Sequence, residues 1–347
     1  MGTPAVLRAT GTGRHPPDTT SDWLVLSGDG RLHLSAAPAA LERGLLLVEV
    51  GSGLSGATVA LHAGGAGETA LSVLIDPETG IGLMHRSGGR LLRHVLPGFL
   101  RPTGPSLVLT FEWDVADNHW SLAATAADGS CIARTTGQDA WPVAAETVAA
   151  LRQAAIGSHH PALDWFGLCR RRDAVGDGLA GLMVGLGTLL QTDRGPVPAA
   201  TIRPGARLPA LDGGMAEVIA ADIIDLPQRG SIGPYRLRAG HFGASRDMIV
   251  GPRTLLCCTG EGVEDLFGAD NVLVAVRDLA DDRAVLRQEG PGCIRMSVLK
   301  LDRPAAISAG GTALHPPSLC PGRARLLTPF ETAALMSSQR RKVAFGN

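Results

Sequence analysis

Residues 246–256 read RDMIVGPRTLL, from Arg246 to Leu256: a polar turn feeds a Val/Leu strand that Gly251 and Pro252 interrupt where a buried strand would run on. Proline cannot donate to a β-ladder and glycine often marks a bend or a close backbone approach, so the pair reads as a built turn with Thr254 just beyond it. What that turn serves depends on the elements around it.

The elements on either side are β. In the second half, GTLLQT, GPVPAATI, ARLPAL, AEVIAADIID, YRLRAG, TLLCC, NVLVAVRDL, AVLRQ and CIRMSVLKL are short apolar segments separated by turn residues. The first half has the same texture. WLVLSGDGRLHLS (Trp23 to Ser35) reads as a hairpin turning at Gly28-Asp29-Gly30, and GLLLVEV, ATVALHA, ALSVLID, GIGLMHR, LLRHVL, LVLTFEWDV and HWSLAATAA follow it at close spacing. Many short strands spaced in this way predict an antiparallel sandwich.

Two helices stand out. PVAAETVAALRQAAIG places Pro142 in a first turn, Val148, Leu151 and Ala155 on one face, and Gly157 as a stop. Near the end, Thr328 and Glu331 make a capping box with Pro329 in the first turn, and Arg340, Arg341 and Lys342 complement the negative helix end, predicting a helix over 329–342.

The expected architecture is therefore all-β. A flexible arm (1–19) precedes an N-terminal antiparallel β-sandwich (20–170), a polar linker (171–181), a second β domain (182–312) and a C-terminal tail with the helix (313–347).

Composition narrows the function classes. The 347 residues carry a net charge of −1, with no basic run longer than Arg170–Arg172 or Arg340–Lys342, so nucleic acid is not an expected partner. The N-terminus lacks the apolar stretch of a signal peptide, and the uncharged run Gly178–Thr192 is shorter than the ~18 residues a membrane helix needs. A soluble, cytoplasmic protein without a membrane partner is the expectation. The six cysteines include the adjacent pair Cys257-Cys258 but no C-x-x-C knuckle with a nearby His, so neither a zinc site, nor any other metal or cofactor, nor a disulfide framework is expected.

Taken in order, GTLLQTDRGPVPAATIRPGARLPALDGG, YRLRAGHFGASRDMIVGPRTLL, NVLVAVRDLADDRAV and MSVLKLDRPAAISAGG resemble the successive blocks of a bacterial hedgehog/intein (Hint) domain over residues 182–312. The resemblance implies a self-processing fold in which a first Cys, Ser or Thr attacks the preceding carbonyl and a His after the block's Pro protonates the leaving nitrogen. Aligned on Gly187-Thr188, the nucleophile position falls at Met183, a thioether with no proton to lose, and the His position falls at Thr254. In the closing hairpin Ser297 and Pro304 stand where the family often has His. Arg246 and Asp247 match the block, and a turn-fixing role is expected of them. The resemblance thus implies a Hint-like domain with its reaction lost, a structural or interaction module with no catalytic residues. Autoprocessing through another nucleophile is the alternative.

The first half resembles a concanavalin-like lectin/glucanase sandwich in strand density and in its closing strand ALDWFGLC, which opens a further alternative, carbohydrate binding or cleavage. Its one sharp feature is FEWDVADNHW, where Glu112, Asp114 and Asp117 form an E-x-D-x-x-D array. Two carboxylates on one strand face suit glycoside chemistry; the simpler expectation puts Glu112 and Asp114 on the solvent face, Asp117-Asn118 in the turn, and Trp113, Trp120, Trp141 and Trp165 in the core. The expected partner is a protein or a glycan.

Overall fold

The computed structural model describes residues 21–28, 39–51, 56–64, 68–98, 106–157, 161–172, 174–175, 179–317 and 324–345. The proposed arm, the second half of the Trp23–Ser35 hairpin and the side chains of Arg340, Arg341 and Lys342 lie outside what is described.

The first half builds two antiparallel sheets. One has six strands in the order Trp23–Leu26, Leu163–Cys169, Arg43–Gly51, Ser106–Asp114, His119–Ala126 and Cys131–Gly137; the other is the meander Thr58–Gly64, Ala70–Asp76, Gly80–Ser87 and Arg90–Pro97. The last hairpin of the meander pairs Ser87 with Arg90 across Gly88 and Gly89, whose φ angles of 55° and 75° fit the primed two-residue turn that matches strand twist. Leu46, Val48 and Leu109 of the first sheet join Leu61, Val73 and Leu83 of the second in one apolar core.

The helix runs Ala145–Ile156, with Thr147, Val148, Leu151 and Ala155 buried and Gly157 at its C-cap. Pro142 lies before it rather than in its first turn. Val143 is engaged in a backbone bridge with Leu41, exchanging N–H···O bonds of 2.8 and 3.0 Å, and this holds the segment extended until Ala144.

The second half is also mostly β. One seven-stranded sheet runs Arg207–Pro209, Met215–Pro227, Cys293–Leu301, Leu182–Gly185, Met248–Val250, Tyr235–Leu237 and Val285–Arg287. The other runs Gly195–Pro198, Leu189–Thr192, Ile307–Ala309, Thr312–His315, Leu255–Thr259, Asn271–Ala275 and Arg325–Leu326, with only the last pair parallel. Leu182, Val184, Val250, Leu256, Val274 and Leu299 belong to their common core. A short helix, Glu261–Phe267, was not anticipated, and it ends at the left-handed Gly268.

The C-terminal helix, Pro329–Phe345, starts on the expected capping box: the Glu331 N–H donates to the Thr328 hydroxyl at 3.3 Å, and the Glu331 carboxylate accepts the Thr328 N–H at 2.9 Å. No helix among the described residues is long and apolar enough to cross a membrane.

The six-stranded sheet is covered on both faces. Leu46, Val48 and Val50 alternate with Leu45, Leu47 and Glu49 along its central strand. The first set faces the sandwich core; Leu45 and Leu47 join Ile224, Leu226, Ile232, Met296 and Val298 from the second half in a separate cluster.

Candidate functional site

The strand Leu182–Gly185 is paired on one side with Cys293–Leu301, Met183 standing opposite Val298, and on the other with Met248–Val250. Alternation along it sends Leu182 and Val184 into the core of the second half, while Met183 enters the cluster shared with the sandwich. Immediately after Val250 the chain turns: the Thr254 N–H donates to the Gly251 carbonyl at 3.2 Å, closing a four-residue turn with Pro252 in its second place.

That turn is docked on Met183. The Gly251 N–H donates to the Met183 carbonyl at 2.9 Å, and the Thr254 hydroxyl donates to the same oxygen at 3.3 Å. A Cβ on Gly251 would lie 2.6 Å from the Met183 Cβ, so only glycine lets the two backbones approach this closely. The Gly-Pro break thus carries Thr254 onto the residue that the sequence alignment pairs with it. Both side chains are buried.

Residues 185–322, less than half of the chain, match the family described as Hint domain. This part of the chain is a Hint domain. The match begins two residues after Met183, so the strand bearing the aligned nucleophile position straddles its edge. No curated protein sequence is significantly similar to this chain. Among solved structures, the Ruminococcus gnavus IT-sialidase CBM40 bound to alpha2,3 sialyllactose is 17% identical over 40% of this chain and 80% of that one, at a TM-score of 0.30. The MchDnaB-1 intein is 16% identical over 38% of this chain and 98% of its own, at a TM-score of 0.26. A heptameric SAP-like pentraxin from Limulus polyphemus is 10% identical over 44% and 67% of the two chains, at 0.23.

Within the Hint domain, the other aligned positions do not converge on Met183 to the same degree. Ser297 is buried opposite Val184 and donates to the Ala199 carbonyl at 3.2 Å, whereas Pro304 is exposed in the loop between Leu301 and Ile307. Asp247 accepts the Ala239 N–H at 2.9 Å and so ties the turn to the preceding segment; Arg246 is exposed beside it. His241 sits in an exposed turn whose carbonyl accepts the Ala244 N–H.

His315, which stands at no position that the resemblance matches, is a buried imidazole. It stands across from Leu255, one residue past Thr254, but its Nδ1 is 2.6 Å from the Pro316 carbonyl and burial lowers its proton affinity. Leu255 packs with Leu273 and Ala275 in a cluster apart from the one that holds Met183.

In the sandwich, Asp114 departs from the expected solvent position. It is buried; one oxygen accepts the N–H groups of Ala116 and Asp117 at 3.1 and 3.3 Å, and the other faces the Arg172 guanidinium at 3.6 Å. A carboxylate so occupied is a turn fastener. Glu112 lies two residues back along the strand, opposite Ser121, and with His119, Ser121, Arg134, Thr136 and Arg172 lines a pocket of about 360 Å³. Trp113 is fully buried, its indole N–H donated to the Leu41 carbonyl at 3.0 Å. Among the described residues no group of His, Cys, Asp and Glu is arranged to hold a metal ion.

Proposed function

We propose that this is a Hint domain protein whose self-processing chemistry has been lost and whose Hint domain now acts as a structural module docked on the sandwich. The observation that carries this reading is Met183. An acyl shift needs a side-chain atom that can give up a proton and attack the carbonyl of the preceding residue, and a thioether has none. Thr254 cannot supply the missing acid: an aliphatic hydroxyl does not release its proton near neutral pH, and this one is committed to the Met183 carbonyl. Met183 is also at home where it lies, packed in an apolar cluster with Met296 and Val298, which suits an unbranched hydrophobic side chain better than a hydroxyl or thiolate.

The test is intact mass. The purified chain should remain at 35.9 kDa after incubation with dithiothreitol or hydroxylamine, both of which cleave thioesters or esters. Fragments meeting at the Leu182–Met183 bond would overturn the reading and favour active processing through another group.

The pocket beside Glu112 favours a second reading for the sandwich, the binding of a hydroxyl-rich ligand such as a glycan. Its lining offers a carboxylate, hydroxyls, an imidazole and guanidinium groups within one concavity. A glycan array separates the two roles. Binding that is lost on Arg134→Ala supports this second reading, and an empty array removes it.

A further inference from the structure

The surface between the sandwich and the Hint domain is more than a contact of neighbours on one chain. Interfaces between domains of a chain are by default modest and polar. This one has an apolar centre made of Trp23, Leu45, Leu47 and Trp165 from one side and Ile224, Leu226, Ile232, Met296 and Val298 from the other. Polar contacts surround it. The Trp23 indole N–H donates to the Asp225 carbonyl at 2.8 Å, Arg229 donates to the Ser27 carbonyl, Arg171 pairs with Asp222, and Arg277 donates to the Asp128 carbonyl at 3.0 Å.

At its heart is a buried carboxylate. Glu49, 3% exposed, accepts the Ser106 hydroxyl at 2.8 Å and the Trp165 indole N–H at 2.6 Å, both from the sandwich. Across the interface it accepts the Ser231 N–H, which lies 2.9 Å from each carboxylate oxygen. The turn that presents this N–H is shaped for the purpose. Gly230 has φ +58°, and a Cβ there would stand 1.9 Å from the Trp165 indole nitrogen and 2.0 Å from Glu49 Oε2. A bare backbone is therefore seated against a carboxylate that two sandwich side chains hold in place.

We infer that this face of the sandwich is a recognition surface sufficient to hold the Hint domain of the same chain without a covalent link, anchored where the Glu49 carboxylate receives the Gly230–Ser231 backbone. An apolar centre with aromatic anchors and a polar ring is the anatomy of interfaces that bind as separate molecules. The anchor is also selective: a partner lacking a glycine turn would collide with Trp165, and one lacking the N–H would leave the carboxylate short of a donor. The inference stands whether or not the chain ever processes itself.

The test cuts the folded chain. A site for a specific protease is inserted after Arg172 in the linker, the full-length protein is cleaved under native conditions, and the product is passed over a size-exclusion column. Both fragments should elute together at the position of the uncut protein, and a tag on the N-terminal fragment should retain the C-terminal one. Separate elution of the two wild-type fragments would overturn the inference. Gly230→Ala and Glu49→Ala should each weaken the cut complex about 30-fold or more, as loss of a central anchor does, with the circular dichroism of the uncut variants unchanged to show that both halves are folded. Should the fragments stay together equally well in both variants, the anchor is not at Glu49 and that assignment fails.

Discussion

The Thr254 hydroxyl donates to the Met183 carbonyl at 3.3 Å, inside the protein, joining the two positions to which the resemblance assigns the acid and the nucleophile of a self-processing Hint site. The relationship makes a reconstruction possible. Met183→Cys supplies an attacking atom and Thr254→His supplies an acid on an adjacent turn. The double variant is expected to cleave before residue 183 on addition of dithiothreitol, seen as two fragments by mass spectrometry. Met183→Cys alone should be slower by ~10²- to 10⁴-fold, the usual worth of general acid help. Equal rates in the single and double variants would mean that position 254 does not address the bond.

Gly251 supports that geometry through what it lacks. A methyl group there would enter the space of the Met183 side chain, with its Cβ at 2.6 Å and its Sδ at 2.9 Å from the new carbon. Gly251→Ala is therefore expected to lower unfolding free energy by about 1–3 kcal/mol, as overpacking does in a filled core. Chemical denaturation measures it. A midpoint equal to wild type would show that the strand and the turn are not in contact.

Much of this is legible in the sequence. Turn residues and short apolar runs carried the β character of both halves, and Thr328 and Glu331 marked the start of the last helix. The pairing of Met183 with Thr254 came from block order, which no local pattern could supply. Other features had weak or misleading signals. Glu261–Phe267 is a seven-residue helix, too short to show a helical period. Asp114 was expected at the surface from simple alternation, but it bonds to the turn after it, and a short polar side chain near a strand end can do either. The junction between the halves did have a trace: Leu45–Val50 is apolar at every position but Glu49, the pattern of a strand buried on both faces. Ile224, Leu226 and Ser231, which help cover the second face, lie more than 170 residues away in sequence, beyond the reach of periodicity.

Two of the three carboxylates of the E-x-D-x-x-D array, Asp114 and Glu112, should behave differently from each other. Asp114 is buried and accepts two backbone N–H groups besides facing Arg172, so Asp114→Ala leaves donors unsatisfied and is expected to cost about 1–3 kcal/mol of stability. Glu112→Gln keeps the size of the side chain and one acceptor oxygen, and on the wall of an open pocket it should cost less stability than Asp114→Ala. Thermal or denaturant unfolding of the two variants decides the matter. A larger loss for Glu112→Gln would reassign the structural role. Glucan hydrolysis by the wild type that is abolished in Glu112→Gln would restore the array as a catalytic pair.

His85 and His94 are expected to make the sandwich sensitive to acid. Both are about 1% exposed, on neighbouring strands, and neither has a hydrogen-bond partner for its ring nitrogens among the described residues. Their surroundings are aromatic: His94 lies 4.3 Å from the Trp120 ring centre and 4.7 Å from that of Phe111, and His85 lies 5.8 Å from Trp141. Burial pushes both imidazoles down from 6.5 to about 4, with the proximity of His85 adding to the effect on His94. Because the folded-state values are the lower ones, the unfolded chain binds protons first as pH falls. The folded state is then undisturbed above about 6.5, and stability is lost progressively between pH 6.5 and 4, by about 3 kcal/mol for each imidazole if the shifts are fully expressed. The double variant His85→Leu, His94→Leu removes this proton uptake while leaving the carboxylates elsewhere in the chain as they are. Denaturant midpoints measured at pH 7 and pH 4.5 should therefore differ much less in the variant than in the wild type. If the two proteins lose stability equally over that interval, the imidazoles are charged or solvated in the folded state and the aromatic core is not closed around them.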